Sequence, residues 1–371
     1  MKKFGTSLLL LTLIVTLVIT TAPAAIHAGN TVINPLTGLP VKDTRLVQRR
    51  PIAVKVENSP WGRPQSGLDK ADVVYESLAE HGITRFCAIF LSQEPGTVGP
   101  VRSARPSDVE IVPQFQAALA YSGASIPVKK MLRASPDIPL IGQMEDYYAF
   151  RRIPRGDVAY EHTLYASVAK LRETLARYDY DATVNLGGWH FASPAIAVPT
   201  STQVAHVNIP FSSWAACSYR YDARLGAYRR FISSEPHTDR ETGRQYTAEN
   251  VIVQFVEVVD GPYVGYKGGG GTNLLIHKLT GEGRCIVLRG GVVTNGKWVR
   301  WGRNSLTQWV DDSGQPIPLN PGQTWIEVVP ADLAVKVTLG QPYTGPTRST
   351  GNSGASSGET RTRPTGRGPK E

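Results

Sequence analysis

A change of periodicity near residue 200 limits the possible folds of this 371-residue chain more than any other feature. Before it, strand-like apolar runs at 51–57, 69–76, 84–91 and 117–121 are interleaved with helical patterns. Residues 128–134 form a short helix in this reading, and 166–178 puts Val168, Leu171 and Leu175 on one helical face. Gly82 before the 84–91 run predicts a hairpin with the strand that precedes it. After residue 203 come eight strand-like runs without a helix: 204–209, 216–221, 228–232, 251–259, 273–279, 284–288, 298–301 and 325–329. Turn signals such as Asn295-Gly296 and Asp312-Ser313-Gly314 separate them. The expected fold class is α+β. An N-terminal α/β domain spans 51–185, and a β-rich sandwich or open barrel spans 200–335.

The ends carry different information. Residues 1–28 read as a secretory signal peptide, with Lys2 and Lys3, an apolar run at 8–20 and Ile26-His27-Ala28 as cleavage site. That run is short for a membrane span, so membrane contact is expected only through an uncleaved signal. No cysteine follows it, so the expectation is a secreted or envelope-associated protein without a lipid at a signal cysteine. Residues 29–50 form an N-terminal arm. The Gly/Ser/Thr/Arg-rich stretch 340–371 cannot bury a core and is expected to be disordered. Net charge is +9, but setting aside this tail, Lys2 and Lys3 leaves +4 and no basic stripe, which argues against nucleic acid. Cys87 reads as a buried small hydrophobe, and Cys217 and Cys285 are candidates for a disulfide in an oxidising compartment. Three cysteines without clustered histidines make no zinc site, and no metal or cofactor is expected.

The most distinctive string is Gly99-Pro100-Val101-Arg102-Ser103-Ala104-Arg105-Pro106. Prolines restrict the backbone on both sides, so Arg102 and Arg105 sit on a stiff loop. Ser107-Asp108-Val109-Glu110 follows as a capping box, with Ser107 as N-cap. A helix start beside two guanidinium forks suits a carboxylate or phosphate. In the alternative, both arginines pair with Glu76, Glu80 or Asp108 and merely hold the loop.

Other candidates are weaker. Glu76 and Glu80 resemble the paired carboxyls of glycan hydrolysis, and His162 is a candidate base or anion ligand. Against that, Glu76 and Glu80 are expected rather as salt-bridge partners of Arg85 and Arg102. His237 and Asp239 lie in a turn that the Asp239 side chain is expected to hold. Gly268-Gly269-Gly270-Gly271 lacks the Lys-Ser/Thr of a phosphate loop, and Ser103 lacks a Gly-x-Ser-x-Gly setting. Trp189, Trp214, Trp298, Trp301 and Trp309 are able to stack on sugar rings, though most are expected in the core.

Several strings together carry a resemblance. Arg63-Pro64-Gln65-Ser66-Gly67-Leu68, Ala71-Asp72-Val73-Val74-Tyr75-Glu76, Gly82-Ile83-Thr84-Arg85-Phe86, the 99–106 loop and His162-Thr163-Leu164-Tyr165 resemble the YerB-like family of bacterial lipoproteins. Pro236-His237-Thr238-Asp239, Asn250-Val251-Ile252-Val253-Gln254-Phe255 and Leu319-Asn320-Pro321-Gly322-Gln323-Thr324-Trp325 resemble its C-terminal half. The resemblance implies an extracytoplasmic two-domain protein of unknown function and supplies no catalytic residue. Three readings follow. The first is an envelope protein that binds an anionic polymer or a partner protein through Arg63, Gln65, Arg85, Arg102, Ser103, Arg105 and His162. The second is an envelope glycan or peptidoglycan hydrolase or lyase using Glu76, Glu80 and His162. The third is a structural protein with no ligand. Whether the chain is an enzyme is not decided by its sequence.

Overall fold

A computed structural model describes residues 32–156, 158–199, 202–265 and 270–345. The expected signal peptide and the tail from residue 346 lie outside the described residues. Runs of β-branched and aromatic residues form the strands, as their fit to a pleated, buried surface requires. The largest sheet has ten strands. In spatial order they are Gln308–Val310, Val292–Arg300, Gly281–Arg289, Asn250–Val256, Thr324–Pro330, Val73–Leu78, Thr84–Phe90, Ile52–Glu57, Ala118–Tyr121 and Leu140–Gly142. Thr324–Pro330 runs parallel to Val73–Leu78, with Ile326 opposite Tyr75 and Glu327 opposite Glu76. One sheet therefore continues from the first half of the chain into the second.

A second, six-stranded sheet contains Val204–Pro210, Ala216–Asp222, Ala227–Ile232, Glu235–Pro236, Thr247–Ala248 and Lys336–Gly340. It covers one face of the large sheet, where Val74, Phe86, Val253 and Trp325 share a core with Tyr219, Tyr228 and Val207. Leu171 and Leu175 of the helix Val168–Arg177 join that core. The opposite face packs Ala53, Tyr75, Ile89 and Val328 against Ile111 and Val112 of the helix Asp108–Gln114. Val128 and Leu132 of Ile126–Arg133 complete that layer. Each large apolar side chain buried this way contributes about 1.5–3 kcal/mol. Central strands covered on both faces read as continuous apolar runs rather than clean alternation.

Several expectations change in the structure. All eight strand-like runs after residue 203 contain strands, but 251–259 is divided into Asn250–Val256 and Val258–Gly265. Asn295-Gly296 makes no turn and lies inside Val292–Arg300, because the chain reverses earlier, at Gly290-Gly291, where both glycines have positive φ. Five of the C-terminal strands extend the N-terminal sheet instead of closing on their own. The helix at Asp108 begins where expected, yet Ser107 caps nothing. The Asp108 carboxylate instead accepts from the Arg105 backbone N–H at 2.7 Å. Order extends beyond residue 340, since Gly340 pairs with Val204 and Tyr343 packs edge-on against Phe231. Cys217 and Cys285 do not pair: all three cysteines are free and buried, and these two belong to cores on opposite faces of the large sheet.

Candidate functional site

Ile52–Glu57, Val73–Leu78, Ala118–Tyr121, Thr324–Pro330 and Asn250–Val256 all point the same way. Loops leaving the carboxyl ends of parallel strands are where α/β sheets place their sites, and the predicted residues gather there. Glu57 ends its strand fully buried. Its Oε2 lies 2.8 Å from Nδ1 of His162, and its Oε1 accepts from the Ser59 hydroxyl at 2.6 Å and faces the Arg102 Nε at 3.8 Å. Burial pushes the Glu57 carboxyl up, but the His162 hydrogen bond and the Arg102 and Arg85 charges outweigh it and hold the pKa below the usual range.

The two loop arginines are engaged by the chain itself. Arg105 is 8% exposed, and its Nε meets Glu80 Oε2 at 2.7 Å. Arg102 faces Glu57 and donates to the Glu161 carbonyl at 3.1 Å. Arg85 is buried and contributes its charge to Glu57. The alternative in which these arginines hold the loop describes Arg105 and Glu80, while the carboxylate of Arg102 is Glu57. Below them Lys55 and Asp108 form a fully buried pair at 2.7 Å. Ser103 donates to the Ser122 carbonyl at 3.1 Å.

Arg63 and Gln65 brace the same corner. Arg63 donates to Asn58 Oδ1 at 3.0 Å, to the Asn58 carbonyl at 2.7 Å and to the Trp214 carbonyl at 2.9 Å, and burial lowers its pKa to about 10. Gln65 donates to the Glu57 carbonyl at 2.8 Å. Above them His162 stacks on Trp61 at 6.3 Å between centroids, and Trp61 stacks on Trp214 at 6.2 Å. Trp214 is 45% exposed, whereas Trp189, Trp298 and Trp309 are core residues. Trp301 is exposed as well, but its aromatic ring stacks on no other described ring.

Glu76 and Glu80 do not face each other as an acid and a base. Glu76 lies fully buried between the two sheets, bonded to Asn58, Thr84 and Arg230. Arg230 also reaches Glu327 at 3.2 Å and the Tyr219 hydroxyl at 2.6 Å. Its Nε donates to His237 Nδ1 at 3.0 Å. Arginine only donates, so His237 is neutral with its proton on Nε2, which donates to Gln65 Oε1 at 2.7 Å. Burial and the Arg230 charge lower the His237 pKa accordingly. Asp239 holds its turn as expected, accepting from the Glu241 and Thr242 backbone at 3.0 and 2.9 Å. Glu76, Cys217 and Glu327 bring possible metal ligands within 4.8 Å of one another. The Arg230 guanidinium already occupies both carboxyls, and burial keeps the Cys217 thiol protonated.

Two open cavities lie elsewhere. One of about 440 Å³ is walled by Gly67, Lys70, Glu94, Thr97, Asp239 and Thr242, and one of about 320 Å³ by His206, Asn208, Ser218, Arg220, Lys336 and Thr338. Neither contains a sequence-predicted ligand residue. The residue missed at the main site is Glu57. Its only signal was a charge closing an apolar run before Asn58-Ser59-Pro60, and its partner His162 stands 105 positions away.

Fold and site together define a two-part class of proteins. Residues 36–181 match the N-terminal domain, and residues 207–326 the C-terminal domain, of a protein of unknown function (DUF3048). This chain belongs to that family, the YerB-like proteins. It is 31% identical to "Putative lipoprotein YerB" of Bacillus subtilis (strain 168), over 83% of this chain and 89% of that one. The crystal structure of YerB from Bacillus subtilis superposes with a TM-score of 0.69 at 30% identity, covering 83% of this chain and 99% of that chain. The word lipoprotein describes that relative.

Proposed function

We propose that this protein is an exported cell-envelope protein that binds an acidic glycan at the Trp214–Trp61–His162 face, with Arg102 at its margin. The observation that carries the reading is the 45% exposed Trp214 stacked on Trp61 beside an ionised Glu57 and its arginine. An indole offers an apolar face to a sugar ring and a polar edge to its hydroxyls. Trp61 and His162 behind it fix the plane of that indole, so little rotamer freedom is lost on binding. The Arg102 side chain is 13% exposed, enough for an edge of its guanidinium to meet an acid group while Glu57 holds the rest. Glu76 is sealed and Glu80 is bonded to Arg105, so the reading is binding and not hydrolysis.

Trp214→Ala tests it. Retention on purified envelope glycopolymers should fall about tenfold, the loss expected from removing one stacked ring. The melting temperature should stay within about 3 °C, because the ring is half exposed. Unchanged retention in a folded variant overturns the proposal.

A further inference from the structure

A second group of residues, outside this face, has unmet hydrogen-bonding capacity. The side chains of Ser66 and Tyr165 are fully buried; the Ser66 hydroxyl reaches no partner, and the Tyr165 hydroxyl is approached only by the neighbouring Arg155 guanidinium. Stranding a hydroxyl in this way costs about 1–3 kcal/mol. The two residues are neighbours: Ser66 and Gly99 exchange backbone hydrogen bonds of 2.9 and 3.2 Å, and Tyr165 packs on Gly99. A Cβ at Gly99 would lie 2.8 Å from the Leu164 carbonyl oxygen and the Val101 nitrogen and 3.0 Å from the Tyr165 ring, so glycine is needed where these backbone segments and the ring converge.

Two arginines stand beside them. Arg155 donates to the carbonyls of Gly62 and Arg63 at 2.9 and 2.7 Å. Arg240 is tied to Gln65 through its backbone N–H at 2.7 Å, and its side chain is exposed. Burial lowers the Arg155 pKa and Arg240 lowers it further, while both arginines pull the Tyr165 hydroxyl down against its burial. The three groups therefore lie within electrostatic reach of one another. Among the described residues no carboxylate forms an ion pair with Arg155 or Arg240. Glu57 acts on Arg155 from a distance, but its oxygens are taken by His162, Ser59 and Arg102. Two like charges gathered without a counter-ion repel, and a bound anion would reverse that.

We propose that Arg155, Arg240 and Tyr165, with Ser66 beside them, form a binding site for a phosphate group, free or as a phosphodiester of an envelope polymer. Two guanidinium groups and two hydroxyls supply donors for the non-bridging oxygens of a phosphate group, which carries one negative charge as a diester and up to two when free near neutral pH. The site stands independently of the aromatic face.

Inorganic phosphate is the first probe, with sodium chloride at equal ionic strength as reference. The folded protein should gain melting temperature with phosphate and not with chloride. Arg240→Glu should abolish that gain and, because it relieves the repulsion on Arg155, leave the phosphate-free melting temperature equal to the wild type's or higher. Tyr165→Phe keeps the ring on Gly99 and should weaken phosphate binding about three- to tenfold. Trp214→Ala should bind phosphate as the wild type does, which separates this site from the glycan face. A synthetic poly(glycerol phosphate) that binds at least tenfold tighter per phosphate identifies the polymer as ligand; equal affinity identifies free phosphate. No phosphate-specific gain in the wild type, or an undiminished gain in Arg240→Glu, overturns the proposal, as does full affinity in Tyr165→Phe.

Discussion

At the scale of single residues the most constrained group is Glu327. Its Oε1 accepts from Tyr219 and Arg230, and its Oε2 finds no donor and faces the Glu76 carboxylate. One guanidinium cannot balance two buried carboxylates, so one of them keeps its proton. Burial and the nearby Glu76 charge both push the Glu327 pKa well above 4.5, which makes it the protonated partner. The consequence for stability has a definite sign. Below pH 4.5 the group is protonated in the folded and the unfolded chain alike. Above that, the unfolded chain releases a proton that the folded chain retains, so stability falls as pH rises towards the folded pKa. Glu327→Gln offers the same acceptor to Tyr219 and Arg230 and an N–H to Glu76, with no proton to lose. Urea unfolding should find the variant nearly equal to the wild type at pH 5 and more stable by at least about 1 kcal/mol at pH 8. Parallel stability curves for the two proteins would show Glu327 to be ionised. Nothing local in the sequence reveals this group, because Glu76, Arg230 and Glu327 are each ordinary charges in strand-like runs and meet only through long-range pairing. The loop arginines were legible as a feature for the opposite reason, since their proline frame is local, although their own carboxylates take them up.

At the scale of elements, periodicity located most strands and helices, because a period of two or 3.6 is written within a few residues. It misjudged Asn295-Gly296, whose type I′ turn signature is also local. Tertiary packing decides that case. In Val292–Arg300 the glycine lies against the neighbouring strand, and a Cβ at Gly296 would stand 2.2 Å from the Val310 carbonyl oxygen and 2.8 Å from Ile317 Cδ1. Gly296 is thus present for close approach of two backbones and not for a reversal. Gly296→Ala should cost about 1–3 kcal/mol by forcing Gln308–Val310 away from its partner. If the residue turned the chain instead, alanine would shift the strand register, and hydrogen exchange at Trp309 and Val310 would change without a matching loss of global stability. A fall in midpoint denaturant with an unchanged slope is the expected result.

At the scale of the whole molecule, the two matched segments share one sheet. The described residues from Val32 onward make one compact unit, and its seam is the parallel pairing of Thr324–Pro330 with Val73–Leu78. The seam has both apolar and polar glue. Trp325 packs on Phe86 across it at 5.6 Å, while Arg230 of the second segment pairs with Glu76 of the first. Separating the segments would expose the edge of Val73–Leu78 and uncover Val74 and Phe86, apolar side chains whose burial is worth about 1.5–3 kcal/mol each. Typical domain stabilities of about 5–15 kcal/mol leave little margin for that together with an opened sheet edge. Residues 32–199 expressed alone should therefore lack fixed tertiary structure, seen as weak near-ultraviolet dichroism, whereas residues 32–345 should unfold in one cooperative transition. Co-expression of 32–199 with 202–345 should restore both signals, since the pairing surfaces are complete on the two pieces. A 32–199 fragment with a dispersed amide spectrum and its own cooperative transition would mean that the first segment folds without its neighbour, and that the shared sheet joins two finished halves.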